Sequence, residues 1–312
     1  MTDNQPADHH GDFDSSQKQY PNDTMRLLCE RASCRSFESE DVPGDVLKAV
    51  LRAGIHAPTG GNLQPYSIIK TENKTTCEKL AKLCSDQPWI AEAPVNLLFC
   101  IDYHRLERWA NLEVAPFTAT NAFRHFWIGF QDTIIAAQNI CTAADAMGLG
   151  SVYIGTVLEC FRQLRDMFEL PKGVIPVVLL SMGYPRTRPQ PRRKLGVDVM
   201  VHDEKYRELD DQSLVDAFHE KYPQSKREIN DERLKTIESV CRSCHGEVFA
   251  EKCLERINQQ GYISVAHNYF GLHYRADQMP LGNDDYLAVM EEFGCSWFRP
   301  YSPASSPTKP SQ

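Results

Sequence analysis

The chain has 312 residues, 42% of them hydrophobic, and a net charge of −8. That length accommodates one large domain or two modest ones around a sizeable core. The acidic balance argues against general nucleic-acid binding, so any anionic ligand must be held by a local cluster of positive charge. No apolar run reaches the roughly 18 residues of a membrane span, and the polar, acidic start carries no basic-then-apolar export signal. These features point to a cytoplasmic protein without a membrane or nucleic-acid partner. Its 11 cysteines are then mostly reduced, and the odd number fits no complete disulfide framework.

In chain order, residues 1–20 are too poor in apolar side chains to offset ordering entropy and are expected to be a disordered tail. "PGDVLKAVLRAGIHAP" opens with Pro43 and places Val46, Leu47, Val50, Leu51 and Ile55 on one helical face, ending at Pro58. Residues 66–71 read as a short strand and 73–85 as an amphipathic helix. "PVNLLFCID", 94–102, is the nearly continuous apolar run of a strand covered on both faces. A long helix over 123–147 is apolar on more than one side, which suits the protein centre or a subunit interface. It stops at Gly148 and Gly150. An extended "SVYIGTV", a helix over 158–168 and a buried strand in "GVIPVVLLSMGYP" follow. Past Pro185 comes a basic, proline-rich loop, then helices near 203–220, 231–258 and 284–294. Residues 301–312 read as a second disordered tail.

Three stretches carry candidate chemistry. In "RASCRSF", 31–37, an extended backbone puts Arg31, Ser33 and Arg35 on one side. Two forked guanidiniums around a hydroxyl suit a phosphate; the bland alternative is a solvated turn, and Cys34 reads either as arginine-activated or as an ordinary core residue. In "APTGGNLQPYSI", 57–68, Pro58, Gly60, Gly61 and Pro65 punctuate a turn rich in hydrogen-bonding groups, with Thr59, Asn62 and Gln64. An ordinary helix-to-strand loop uses the same residues. In "GLGSVYIGTV", 148–157, a helix ends on glycine and a short strand ends at Gly155 and Thr156, with Tyr153 nearby. That is punctuation, or a backbone pressed against a flat ring.

Together, in this order, the three stretches resemble the nitroreductase superfamily of FMN enzymes, over about residues 24–210. "AAQNICTAADAMGLGSVYIG" and "VHDEKY" (201–206) are similar to its NADPH-preferring, oxygen-insensitive nitroreductase and flavin reductase branch. The resemblance implies an α+β fold, with a central mostly antiparallel sheet flanked by helices and an intertwined homodimer in which both chains line each site. It implies a nitroreductase-like FMN-binding domain over 21–225 and an extra helical C-terminal segment over 226–300. By the same resemblance, Arg31 and Ser33 bind phosphate or ribityl oxygens. Arg35 lies by the flavin pyrimidine edge, where a guanidinium stabilises the charge that develops on reduction. Pro58, Thr59, Gly60 and Asn62 line the flavin and phosphate, and Gln87 contacts the flavin. Tyr153, Ile154 and Gly155 offer a backbone N–H to the ring. Arg192 takes a phosphate-contact position; Gln190 replaces a lysine there, with Arg193 as an extra charge, which leaves the choice between NADPH and NADH open.

The implied activity is FMN-dependent, ping-pong transfer of a hydride from NAD(P)H to a small-molecule acceptor: a nitroaromatic, a quinone or a flavin. No catalytic side chain is named, because the flavin carries the chemistry; His56 and His125 are candidate pocket residues. A specialised reductive dehalogenase, flavin-fragmenting enzyme or ene reductase is the alternative. A further reading comes from "VCRSCHGEVFAEKC", 240–253. Its C-x-x-C-H matches c-type haem attachment, which needs export. On a helix, Cys241, Cys244 and His245 would share a face and, with Cys253 or Cys295, present a metal or haem redox centre. The assignment adopted is no metal, with this cluster held as the less favoured option.

Overall fold

A computed structural model describes residues 20–223 and 225–301; apart from Tyr20 and Tyr301, the two tails expected to be disordered lie outside the described residues. The described residues divide into two compact units: 20–191 with 284–301, and 192–283.

In the larger unit the helices are α1 (Asp23–Glu30), α2 (Gly44–Ile55), α3 (Lys74–Leu83), α4 (Pro88–Glu92), α5 (His104–Leu112), α6 (Phe123–Ala146) and α7 (Phe161–Phe168). The strands are β1 (Tyr66–Thr71), β2 (Val95–Asp102), β3 (Gly150–Ile154) and β4 (Val174–Gly183). They form one antiparallel sheet in the order β1-β2-β4-β3. The fold is α+β, as expected. β2 and β4 are buried along their whole length, because an apolar run covered on both faces belongs in the sheet centre. Asn96 on β2 is buried too, and bonds Ser181 Oγ and the Ile90 carbonyl at 2.6 and 2.9 Å, so no polar group there is stranded.

α6 packs on the sheet and on α2. It buries Ala136, Ala137, Ile140 and Ala144, while Phe123, Trp127 and Ile135 are exposed. Its apolar character therefore extends beyond the face its own chain covers. Gly54 allows α2 to lie close: a Cβ there would fall 2.3 Å from Ile140 Cγ1. α1 went unread in the sequence, yet Asn22 caps it by accepting from the Met25 N–H at 3.0 Å.

The smaller unit contains α8 (Val197–Met200), α9 (Asp211–Lys221), α10 (Asp231–His245), α11 (Glu247–Gln260) and α12 (Val265–Asn268), and a π-type turn over Tyr269–His273. Its own core is Ile237, Cys241, Ala250, Cys253, Ile257 and Ile263. The helix expected over 203–220 starts only at Asp211, where Asp210 caps it through Ser213 N–H. The helix expected over 231–258 breaks at Gly246, whose φ of 84° turns the chain into an α-hairpin.

The expected boundary at 225/226 differs from the division found. Residues 192–223 join the smaller unit: Arg193 donates to the Glu220 carbonyl at 3.3 Å, and the Tyr222 ring lies 6.2 Å from Tyr269. The last helix, α13 (Asn283–Glu292), returns to the larger unit. There Arg162 pairs with Glu292 and Asp285, Gly173 N–H donates to the Phe293 carbonyl, and Trp297 Nε1 donates to Ala119 at 2.9 Å.

Candidate functional site

The 31–37 segment is extended and lies along the open edge of β3. Ser33 bridges Ser151 in parallel, Cys34 N–H donates to the Ser151 carbonyl at 2.9 Å, and Phe37 bridges Pro185. Glycine at 150 permits this approach, since a Cβ there would sit 2.7 Å from Cys34 Cβ. Cys34 and Phe37 point inward and are buried, Arg31 and Ser33 are half-buried, and Arg35 is exposed. Burial pushes the Cys34 thiol up, and the thiol donates to the Ser36 carbonyl at 3.3 Å. Of the two readings of Cys34, the structure favours the ordinary core residue.

Arg31 turns back towards the end of α6. Its Nε donates to Cys141 Sγ at 3.1 Å and lies 3.7 Å from Asp145 Oδ2; the guanidinium sits 5.7 Å from the Tyr153 ring centroid. Its Nη2 is buried and has no hydrogen-bond partner among the described residues. Burial raises the Asp145 carboxyl above the ordinary range, opposed by Arg31 and by Arg188, which lies 3.7 Å away. A buried donor left without a partner is costly, so Arg31 Nη2 favours an acceptor at this edge.

The turn after β3 continues the same edge. Ile154 is buried, Tyr153 half-buried and Gly155 exposed, with open space where a Cβ would be. Tyr153 Oη donates to Gln138 on α6 at 3.3 Å, and burial pushes its hydroxyl well up. Gln87 reaches this turn: its Nε2 donates to Thr156 Oγ1 at 2.9 Å and to the Cys84 carbonyl at 2.8 Å. Arg35 lies 5.6 Å from the ring centroid of Trp89, two residues beyond Gln87. The structure thus gathers Arg31, Ser33, Arg35, Gln87, Tyr153, Ile154 and Gly155 along one sheet edge.

The 58–64 loop sits elsewhere. Gly61, Asn62 and Gln64 all have positive φ, at 60°, 56° and 49°, a conformation non-glycine side chains seldom adopt. Two charged residues hold it. The Gly60 N–H donates to both carboxylate oxygens of Asp132 on α6, at 3.2 and 3.0 Å. Arg105 donates to the carbonyls of Gln64 and Tyr66 at 2.6 and 2.8 Å. Thr59 Oγ1 accepts from Gln64 N–H, while Pro58, Gly60 and Asn62 are exposed. From Asp132 to Asp145, α6 rises roughly 20 Å at 1.5 Å per residue. Within one chain the loop and the Arg31 cluster therefore occupy separate stations on that helix.

Asp132, Arg105 and Trp89 escaped the sequence reading. Asp132 alone carried a signal, an acid in the middle of the apolar run of α6. Burial raises its carboxyl above 3.8 against the pull of Gly60 N–H. With the folded value above the unfolded one, the buried carboxylate costs stability, and that cost develops as pH rises from about 3.8 through the raised value. Asp132→Asn keeps an acceptor for Gly60 without the charge. Its urea midpoint is expected to gain on wild type across that window and to hold the gain above it. A parallel pair of pH profiles would show that the carboxylate is not destabilising.

Arg192 and Arg193 lie in the smaller unit, both exposed. His56 is exposed and His125 half-buried, its carbonyl accepting from Tyr103 Oη. The C-x-x-C-H residues all lie on α10, as the helical spacing suggested, but they are not buried alike. Cys241 turns into the small core with Cys253, whereas Cys244 and His245 are exposed and the His245 ring lies tilted 4.6 Å from Phe249. The break at Gly246 puts Cys253 on the next helix, α11. Among the described residues no group of three or more His, Cys, Asp or Glu side chains is placed to hold a metal ion.

The family model described as the nitroreductase family matches residues 28–184, a span that includes the whole sheet edge, the 58–64 loop and Asp132. An oxygen-insensitive NADPH nitroreductase of Salmonella typhimurium is 31% identical over 191 residues, covering 61% of this chain and 78% of that one. An FMN reductase [NAD(P)H] of Bacillus subtilis is 30% identical over 245 residues, 77% of this chain and 98% of that one. The structure of NfrA2 of B. megaterium superposes with a TM-score of 0.68 over 89% of this chain and all of the other; at 23% identity it speaks for the fold. With the sheet, the edge cluster and the loop in the expected order, the chain belongs to the nitroreductase family.

Proposed function

We propose that the protein is an FMN-dependent oxidoreductase that takes reducing equivalents from NAD(P)H and passes them, by a ping-pong sequence, to a nitroaromatic, quinone or flavin acceptor. The carrying observation is Arg31: a half-buried guanidinium whose buried Nη2 has no hydrogen-bond partner among the described residues, beside Ser33 and Tyr153 on an open strand edge. That donor set fits a phosphate monoester. Bound FMN would supply the two-electron relay between donor and acceptor.

The chain's own groups bind and orient. Arg31 and Ser33 would hold the phosphate, with Arg31 steadied from behind by Asp145. Arg35 would stand by the pyrimidine edge, positioned by the face of Trp89. Gln87 and the 153–155 backbone would complete the ring contacts. Arg192 and Arg193 are the proposed contacts for a further phosphate; they are exposed on their own unit.

Two observations support a homodimer in which Pro58, Thr59, Gly60 and Asn62 serve the partner's site. The loop and the Arg31 cluster occupy separate stations on α6, and α6 exposes Phe123, Trp127 and Ile135 on the side its own chain leaves uncovered. A cytoplasmic setting is part of the proposal; no helix among the described residues is long and apolar enough to cross a membrane.

The test is anaerobic. Protein reconstituted with FMN is expected to lose its flavin absorbance on titration with NADPH or NADH and regain it on adding a nitroaromatic or a quinone. If no acceptor in a stopped-flow panel reoxidises it faster than dioxygen does, the reading is overturned.

A further inference from the structure

A cleft opens on the larger unit between the turn at 118–123, which leads into α6, and the segment 296–301, which follows α13. The two walls are far apart in sequence and are pinned to each other. Ser296 N–H donates to the Thr120 carbonyl and Trp297 Nε1 to the Ala119 carbonyl, each at 2.9 Å. Trp297 lines the cleft and is only 1% exposed. Its ring lies 5.4 Å from Phe126 and 6.1 Å from Tyr103, so it is fixed from behind by other rings. The 296–301 wall lies beyond the residues 28–184 that the family model matches.

The cleft has a volume of about 340 Å³. That is at the small end of ligand sites, about 300–1,000 Å³. Phe123 and Tyr301 line it with exposed rings. Three polar residues stand among the rings: Thr118, Asn121 and Arg299. Asn121 Oδ1 accepts from Thr120 Oγ1 at 3.0 Å, so its amide N–H groups are the end that can meet a ligand. Arg299 pairs with Glu291 through Nε, and its backbone N–H donates to the Ser296 carbonyl at 3.2 Å. Glu291 offsets part of the positive charge but steadies the guanidinium. An arginine held at Nε still offers the forked pair Nη1 and Nη2. Rings beside amide and guanidinium donors suit a flat apolar body with an anionic end.

We propose that this cleft binds a planar aromatic carboxylate of one or two fused rings, one per chain. The ring packs against Phe123 and Tyr301, and the carboxylate meets Arg299 and Asn121. The site requires no flavin, so its test stands apart from the proposed function. Phe123 is also among the α6 residues that the proposed homodimer would cover, which makes a second copy of the chain the competing occupant.

The experiment is calorimetric titration of the full chain without added FMN. The probe is 2-naphthoate, and 2-naphthamide is its neutral counterpart. The expected result is one 2-naphthoate bound per chain, with 2-naphthamide at least tenfold weaker. Arg299→Gln is expected to remove that difference, and Phe123→Ala to weaken both probes at least threefold. Added FMN is expected to leave the binding in place. Absence of binding, equal binding of the two probes, a preference that survives Arg299→Gln, or displacement of 2-naphthoate by FMN overturns the site. Binding that arises only once FMN is added belongs to the flavin and overturns it as well. A Phe123→Ala chain that sediments as a smaller species yet binds 2-naphthoate like wild type assigns the face to a second copy, and the proposal falls.

Discussion

Arg31→Ala is expected to weaken FMN binding by roughly ten- to a hundredfold, the worth of a hydrogen bond to a charged group at about 1.5–3 kcal/mol. It is also expected to lower thermal stability, for a separate reason. Asp145 is buried near Arg31 and Arg188, each 3.7 Å away. Removing one partner of a buried carboxylate costs about 3–5 kcal/mol when nothing else compensates; Arg188 remains, so a smaller loss is expected. Asp145→Asn separates the two effects. In the Arg31→Ala background it should recover much of the melting temperature and none of the FMN affinity, read by fluorescence titration of the apoprotein. If Asp145→Asn restores FMN binding as well, Arg31 acts on the flavin only by neutralising Asp145, and the direct phosphate contact is wrong.

The second large effect is expected at Gly150. An added Cβ would lie 2.7 and 2.9 Å from Cys34 Cβ and Sγ and 3.3 Å from Pro185 Cβ. Neither the Cys34 Cβ nor the Pro185 ring is the loose end of a side chain, so relief requires the backbone to move. Overpacking of this kind costs about 1–3 kcal/mol, and a domain of this size loses about 2–4 °C per kcal/mol. The movement would push the 31–37 segment off β3 and take Arg31 and Ser33 with it. Gly150→Ala should therefore lose several degrees and bind FMN more weakly, even though residue 150 itself holds no ligand group. Wild-type melting and wild-type affinity together would mean that the segment is not anchored where Cys34 N–H meets Ser151.

Much of the scaffold was legible because its signals are local. The 3.6-residue apolar period marked α2, the continuous apolar runs marked β2 and β4, and paired glycines marked the end of α6. The errors were local as well. The helix read through residue 246 followed apolar residues on both sides, although "CHGEV" holds a basic last turn, a glycine and then an acid, the signature of one helix ending and another starting. The helix placed at 203 ignored Asp210, whose side chain caps the true start. The C-x-x-C-H residues share α10 as their spacing implied, but the small core took Cys241 inward with Cys253 and left Cys244 and His245 in solvent, which no spacing records.

The sequence by itself determined which groups are available: two arginines around a serine, a glycine-rich loop and a strand ending at Gly155. It also determined the backbone form of each, since extension, turning and helix are set by neighbours a few residues apart. Only the tertiary structure decided which groups work together. It laid the arginine segment on the β3 edge, turned Arg31 towards Asp145 and tied Gly60 to Asp132. Each of these pairs joins residues more than seventy positions apart, and no periodicity or spacing records such a contact. It exists because close packing of α6 on the sheet brings segments distant in sequence side by side.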